Sequence, residues 1–169
     1  MDEVRFKTAI GALWGISDRL DDIKSEYGQE QKAWIHELEE AVVAEPSLVW
    51  PVPGATGVGD GTAEHALRGI GPAIDIPARM GSTVVASHDG TITFAGYKGD
   101  AGTTVWVEND HLKTQYSHLG GTEVFLGDMV TAGHPLGLVG MTGVTTGPHL
   151  HFVIWKNGTR TPPEDYNFR

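Results

Sequence analysis

The stretch TGPHLHF, residues 146–152, carries the strongest chemical pattern in the chain. Side chains on a β-strand point alternately to opposite faces, so His149 and His151 are predicted to lie on the same face. Their backbones would be about 7 Å apart, and two imidazoles at that spacing can converge on one metal ion or one bound water. The alternative is two histidines on a solvated strand face, which this motif alone does not exclude.

Two earlier segments each place one polar residue within an apolar strand. QYSHL, residues 115–119, contains His118, and AIDIP, residues 73–77, contains Asp75. A carboxylate flanked by two isoleucines needs a cation, a metal or several N–H donors to offset the cost of burial. The plainer interpretations are a structural His118 and an Asp75 at a loop end that is satisfied by backbone amides.

The residues around these motifs form short apolar segments separated by glycine turns. The predicted strands are Ala73–Ile76, Thr83–Ser87, Thr91–Ala95, Thr103–Glu108, Thr114–His118, Leu136–Val139 and His149–Trp155. Strands spaced this closely leave no room for crossover helices, so we expect antiparallel β structure and not βαβ units. The 23 glycines of the chain also favour a turn-rich β protein over a helical bundle.

The N-terminal residues follow a different pattern, which predicts a long helix from about Glu3 to Ala44. Positions at alternating steps of four and three residues form a heptad seam: Phe6, Ile10, Leu13, Ser17, Leu20, Lys24, Tyr27, Gln31, Trp34, Leu38 and Ala41. Polar residues interrupt the centre of this seam, and Gly28 weakens the helix by roughly 1 kcal/mol relative to Ala. Two shorter helices that meet near Gly28 are therefore an alternative.

Pro46 ends the predicted helix. We therefore divide the chain into a helical, coiled-coil-like N-terminal segment, residues 1–45, and a β domain, residues 46–169. The helix either packs against its own domain or serves in oligomerisation or docking.

Composition limits the functions that the chain can have. Its 169 residues carry a formal charge of −10, which makes nucleic acid and anionic lipid poor partners. The chain has no cysteine, so any metal must be held by histidines and carboxylates. The N-terminal sequence MDEVRFKTAIGALWG predicts neither a signal peptide nor a membrane span. A protein with such an N-terminus that acts outside the cell would leave by another route, be released by lysis or be carried in a virus particle.

Taken in order, the segments resemble the lysostaphin/LytM family of zinc endopeptidases, which cut peptidoglycan cross-bridges. The resemblance runs from residue 49 to about residue 166. It rests on VWPVPG, AIDIPARMGSTVVASHDGTITFAG, QYSHL, VTAGHPLGLVGMTGVTTGPHLHFVIWKNG and PPEDY. It implies a mainly β fold, with an antiparallel sheet and a narrow groove walled by loops, here preceded by the long N-terminal helix.

The resemblance also implies a zinc site. In the family, a His, an Asp four residues later and the second His of His-x-His bind the metal. The last two correspond to Asp75 and His151. His118 and His149 correspond to the residues that orient and deprotonate the water at the zinc. Three protein ligands leave zinc one open position.

The first ligand position departs from the family pattern, because Gly71 occupies it. Glycine has no side-chain donor, and two protein ligands make a weak zinc site. His65, ten residues before Asp75, is the favoured substitute in this sequence. The other residues considered as substitutes are Asp60, Glu64, His88, His111 and His134, for which solvated side chains are the alternative.

The favoured prediction is a degenerate LytM-like domain that binds peptidoglycan, its peptides or a protein partner without cutting. It would serve as a structural module, for example in a phage tail tip or baseplate, with residues 3–44 mediating self-association or contact with tail proteins. The alternative is an active zinc endopeptidase completed by His65. Zinc is expected only if the site is functional. The poorly patterned residues 54–71 either lie across the groove or leave it open.

Overall fold

Nine β-strands and one short helix form most of the part that the computed structural model describes, residues 47–169. The helix, α1, spans Thr62–Leu67. The strands are β1 (Ile74–Pro77), β2 (Thr83–Val85), β3 (Gly90–Tyr97), β4 (Thr103–Glu108), β5 (Leu112–Thr122), β6 (Met129–Val130), β7 (Pro135–Val139), β8 (His149–Lys156) and β9 (Thr159–Thr161). The 3-10 turns are Gly99–Ala101 and Pro163–Asp165.

The helix predicted from Glu3 to Ala44, with its heptad seam, lies outside the described residues. It remains a prediction, as does the division of the chain at residues 45 and 46. Among the described residues, α1 is six residues long, and no helix is long and apolar enough to cross a membrane.

The strands pair in antiparallel fashion, which confirms the predicted mainly β, antiparallel fold. Their order in the sheet is β1-β8-β5-β4-β3-β6, with β9 beside β8, and β7 between β5 and β2. Strand β8, which carries the His-x-His motif, therefore lies between the strand of Asp75 and the strand of His118. In the register of these three strands, His151 is the partner of both Asp75 and Ser117.

Alternation along β8 explains why its histidines face away from the core. Leu150, Phe152 and Ile154 are fully buried, and each contributes roughly 1.5–3 kcal/mol of burial energy. His149 and His151 alternate with them and project from the opposite face. A slip of one residue would exchange the two sets, so the buried side chains determine which residues reach the site.

The seven predicted strands are all present within a few residues, and β4 has the predicted bounds. Strands β6 and β9 were missed because two or three residues are too few to show an alternating pattern. The larger difference is α1, which lies in the stretch that the sequence left unpatterned, residues 54–71. Its signals are the helix-forming composition of TAEHAL and a Glu64 carboxylate that accepts a hydrogen bond from the Gly61 amide at 3.0 Å.

Candidate metal centre

Asp75 and His151 face each other across the β1–β8 pair. The Nδ1 atom of His151 lies 2.8 Å from Oδ1 of Asp75. Both side chains are largely buried, with 17% of Asp75 and 13% of His151 exposed. The structure therefore brings together the two metal ligands that the family resemblance assigned.

His65 reaches the same carboxylate from α1. It is the buried residue of that otherwise exposed helix, and its Nε2 lies 3.3 Å from Oδ1 of Asp75. Its other nitrogen, Nδ1, donates to the Gly61 carbonyl at 2.8 Å. This hydrogen bond sets the tautomer, so Nε2 presents a lone pair to Asp75.

The three side chains fit the requirements of a zinc ion. The ligand atoms that His65, Asp75 and His151 offer lie within 4.8 Å of one another. Ligand atoms of a tetrahedral zinc site with bonds of 2.0–2.1 Å lie about 3.4 Å apart, close to the separation of His65 and Asp75. Two imidazoles and one carboxylate are also a donor set that zinc accepts.

His149 and His118 lie beside this cluster, and each has its Nδ1 atom within hydrogen-bond distance of a backbone carbonyl. His149 donates from Nδ1 to the Gly147 carbonyl at 2.9 Å, and its Nε2 lies 3.6 Å from Oδ1 of Asp75. His118 donates from Nδ1 to the Thr142 carbonyl at 2.8 Å. The two rings are 4.8 Å apart between centroids. Each ring is thus oriented by a backbone carbonyl, which leaves Nε2 as a base.

His118 has an unusual backbone conformation, with a φ of 61°. A residue other than glycine in this left-handed region costs on the order of 1–3 kcal/mol, and such strain often occurs at functional sites. Gly140 makes the local arrangement possible, because a Cβ at this position would collide with the backbone of Gly120. The Gly140 amide instead donates to the His118 carbonyl at 3.1 Å.

The electrostatics favour an ionised Asp75 carboxylate and neutral imidazoles at His118 and His151. Burial raises the pKa of Asp75, but the hydrogen bond from His151 and the nearby histidines outweigh it and hold that pKa below its ordinary value. Burial lowers the pKa of His118 and of His151, and their hydrogen bonds to Thr142 and Asp75 oppose this only in part. Neutral imidazoles can bind a metal or accept a proton.

These residues line one groove with a volume of about 730 Å³. Residues 144–149 contribute one part of its lining, and Asp100 and Ala101 contribute another. The segment before β1 contributes Gly59, Asp60, His65, Arg68 and Ile70. Residues 54–71 therefore supply part of the groove lining, together with one side chain of the metal cluster.

Gly71 has no part in the cluster. Its φ is +83°, and a Cβ built on it would lie 3.4 Å from Nη1 of Arg160. The same guanidinium donates to the carbonyls of Pro72 and Ile70, each at 2.6 Å. Family spacing pointed to Gly71, but the structure brings His65 beside Asp75 by another route.

The other residues considered as ligands have different roles. Asp60 pairs with Arg68 at 2.6 Å, and Glu64 caps α1. His88 is buried against Thr114, with Nε2 3.1 Å from its hydroxyl. His111 and His134 are exposed.

Glu164 is a supporting residue that sequence reasoning missed. Its carboxylate accepts hydrogen bonds from the amide and the hydroxyl of Thr62, both at 2.7 Å. It thereby connects the start of α1 to the end of the chain. The sequence carried no signal for this contact, which spans 102 residues.

The comparisons with known proteins agree with this geometry. The model of peptidase family M23 matches residues 70–163, more than half of the 169 residues, so the chain belongs to this family. This confirms the resemblance to lysostaphin and LytM. The match begins after His65, so the helical histidine lies outside the segment that the family model covers.

Individual relatives resemble only part of this chain. It is 42% identical over 91 residues to DD-carboxypeptidase/endopeptidase Mpg of Neisseria meningitidis, which covers 53% of this chain and 21% of that protein. It is 40% identical over 87 residues to glycyl-glycine endopeptidase ALE-1 of Staphylococcus capitis, with coverage of 50% and 24%. The chain thus spans about a fifth to a quarter of the length of these curated relatives.

A solved structure extends the likeness to the fold. A zinc containing peptidase from Vibrio cholerae superposes with a TM-score of 0.65 at 27% identity, covering 74% of this chain and 41% of that one. The chain therefore has the fold of a zinc peptidase.

Proposed function

We propose that this chain is a zinc-dependent endopeptidase that hydrolyses peptide bonds of peptidoglycan, with His65, Asp75 and His151 as the metal ligands. The observation that carries the proposal is the convergence of these three ligand atoms within 4.8 Å. The sequence alone favoured a degenerate domain, because Gly71 stands at the first ligand position. Because His65 lies beside Asp75 and His151, it can supply the ligand that Gly71 lacks.

Zinc bound by these residues would act as a Lewis acid and would increase the acidity of a water in its open position. His149 and His118 supply the proton chemistry. Their rings are too close for both to be protonated without strong repulsion. One can therefore accept a proton from the attacking water while the other stays neutral. The carbonyls of Gly147 and Thr142 stabilise the imidazolium that forms, because each accepts from Nδ1.

The substrate class follows from the relatives and from the groove. Mpg is named as a DD-carboxypeptidase/endopeptidase and ALE-1 as a glycyl-glycine endopeptidase. A further relative, ShyC of Vibrio cholerae, is 33% identical over 90 residues and is named as a peptidoglycan DD-endopeptidase. The groove of this chain runs past the metal cluster between loop segments, which suits an extended peptide. Peptide cross-bridges of peptidoglycan are therefore the proposed substrate.

Zinc content and wall digestion test this proposal. The purified full-length chain should hold close to one zinc per chain by plasma mass spectrometry and should release new amino groups from purified cell walls. His65→Ala should lose most of the zinc, whereas His134→Ala, which removes an exposed histidine elsewhere, should keep it. His149→Ala should keep zinc and lose digestion.

Two results would contradict the proposal. One is zinc binding that is unaffected by His65→Ala. The other is a zinc-loaded chain that binds walls but releases no amino groups from walls of differing cross-bridge chemistry. The second result would favour the degenerate, wall-binding role.

We also propose a role in assembly, which is compatible with catalysis. The heptad seam of residues 3–44 supports self-association or attachment to other proteins, for example in a phage tail tip or baseplate of a virion. Light scattering of the full-length chain tests self-association. A monomer at high concentration would contradict it.

A further inference from the structure

The sheet face that carries the metal cluster continues beyond it as a row of aromatic and cationic side chains. This row, here called the cationic strip, consists of Trp106, Lys113 and Trp155, with Lys98 at one end and Arg160 at the other. In the strand register Lys113 pairs with Trp155, and Trp155 pairs with Arg160. Trp106 pairs with Gln115, two residues along β5 from Lys113 and on the same face. The strip crosses β4, β5, β8 and β9, and its two lysines and two tryptophans have no role in the proposed chemistry.

The lysines of the strip are held against aromatic rings. The ammonium of Lys113 lies 4.0 Å from the ring centroid of Trp106 and 4.9 Å from that of Trp155. The ammonium of Lys98 lies 4.9 Å from the ring centroid of Trp106, so both lysines contact the same indole. Such contacts restrict flexible side chains, which lowers the entropy lost when an anion binds.

The charge of these lysines is not used within the described part of the chain. Among residues 47–169, neither Lys98 nor Lys113 forms an ion pair with a carboxylate. The acid nearest in register, Glu108, accepts a hydrogen bond from Thr93 at 3.3 Å. The sequence as a whole has a net charge of −10, so two neighbouring lysines without an acidic partner among residues 47–169 are unusual in this chain.

A chain of hydrogen bonds connects the strip to the groove. The indole Nε1 of Trp106 donates to Gln115 at 3.1 Å, and the Gln115 amide donates to Ser117 at 2.8 Å. Gln115 lines the groove, and Ser117 is the strand partner of His151. The strip therefore begins where the groove ends, on the same face of the sheet.

From these observations we propose that the cationic strip binds a carboxylate-bearing peptide segment of the substrate, away from the bond that is cut. The inference deepens the proposed function and rests on it. Trp155 is four residues along β8 from His151, which is about 13 Å. An extended peptide covers that distance in about four residues. The two lysines, held in place against the tryptophan rings, would pair with its carboxylates.

Binding without turnover tests the strip. The probe is purified peptidoglycan, either with free carboxylates or with carboxylates converted to amides by carbodiimide coupling to ammonia. Full-length protein carrying His149→Ala is used so that no bond is cut, and its bound fraction is measured by co-sedimentation at low salt. Two variants are made in this His149→Ala protein: one combines Lys98→Gln with Lys113→Gln, and the other carries Trp106→Ala. Arg79→Gln is the matched control, because it removes an exposed cation outside the strip.

The double lysine variant should bind free-carboxylate peptidoglycan at least about five-fold more weakly, and the control should stay within two-fold. Amidation of the peptidoglycan should weaken binding by the parent protein by a similar factor and should leave binding by the double variant unchanged. Trp106→Ala should weaken binding in the same direction. If the double variant or Trp106→Ala fails to fold, Lys98→Gln alone is tested, because Lys98 is exposed. It should bind free-carboxylate peptidoglycan more weakly than the Arg79→Gln control, by a smaller factor than the double variant.

Equal binding by the double variant and the Arg79→Gln control would contradict the proposed role of the strip. An equal effect of amidation on the parent protein and on the double variant would contradict it as well. These results are separate from the proposed function, because no cleavage is measured. A chain that cuts peptidoglycan but shows no strip effect contradicts only the strip. A chain that shows the strip effect but never cuts contradicts only the endopeptidase.

Discussion

The proposed ligand cluster is built from two regions that hold their side chains by different means. Asp75 and His151 lie on the paired strands β1 and β8, whose register is set by buried neighbours on the other face. His65 lies on a helix of six residues, which is too short to be stable in isolation. Core packing positions the two ligands on the strands, whereas the ligand on the helix depends on contacts that hold the helix itself in place.

Those contacts come from the end of the chain. Glu164 accepts two hydrogen bonds from Thr62 at the start of α1. Arg160 donates to the carbonyls of Ile70 and Pro72, in the loop between α1 and β1. His65 is therefore held from both sides of its helix by residues that follow β8.

Removing a ligand from either region should have the largest effect. His65→Ala and His151→Ala should each lower zinc affinity by more than about 100-fold, since even outer-shell losses reach 10–100-fold. Competition with a chromogenic chelator measures this. If His65→Ala lost far less affinity than His151→Ala, the helical residue would be a bystander and the two regions would not be equivalent.

Loosening the helix without touching a ligand should have a smaller effect. Glu164→Ala removes the acceptor for both Thr62 donors, so zinc affinity should fall about ten-fold. Glu164→Gln keeps a carbonyl acceptor and should recover part of the loss. Asp165→Ala is the matched control, because it removes an exposed neighbouring acid. Equal zinc affinity in the Glu164 and Asp165 variants would show that the helix holds its position without this contact.

The same difference explains what the sequence could predict. Strand alternation predicted that His149 and His151 share one face of a strand, and the family resemblance assigned Asp75 and His118 to the same site. His65 could only be suggested as a substitute, because its approach to Asp75 depends on a short helix and on contacts more than 85 residues away in sequence. Local patterns carry no information on such contacts. The cationic strip was missed for a related reason, since its members come from five separate segments.

Restoring the family spacing should not improve the site. Family spacing alone suggests that Gly71→His would raise zinc affinity. In the structure, a side chain there starts toward Arg160 and requires a positive φ. We expect no gain in zinc affinity and a loss of about 1–2 kcal/mol in the free energy of unfolding, measured by denaturant titration. Gly71→Ala should show a similar loss, which separates backbone strain from any effect of the imidazole. A tighter zinc site in Gly71→His would mean that this loop can move to the metal.

The smallest expected effect concerns the pH dependence of stability at His88, a buried histidine outside the metal cluster. Burial lowers its pKa, and its hydrogen bond to the Asp89 carbonyl opposes this only in part. Its folded pKa is thus below the unfolded value of 6.5, so the unfolded chain binds the extra proton first as the pH falls. Its contribution to stability is complete above about pH 6.5 and decreases as the pH falls toward the folded pKa.

Denaturant titrations of zinc-free protein at pH 8 and pH 5 measure this contribution. His118 and His151 titrate in the same direction, so the wild type should lose stability between these pH values through all three histidines. His88→Gln keeps polar atoms for Thr114 and should lose less than the wild type between the same two values. An unchanged pH dependence in His88→Gln would mean that the whole effect arises in the metal cluster, and that histidines buried elsewhere in the sheet do not contribute to it.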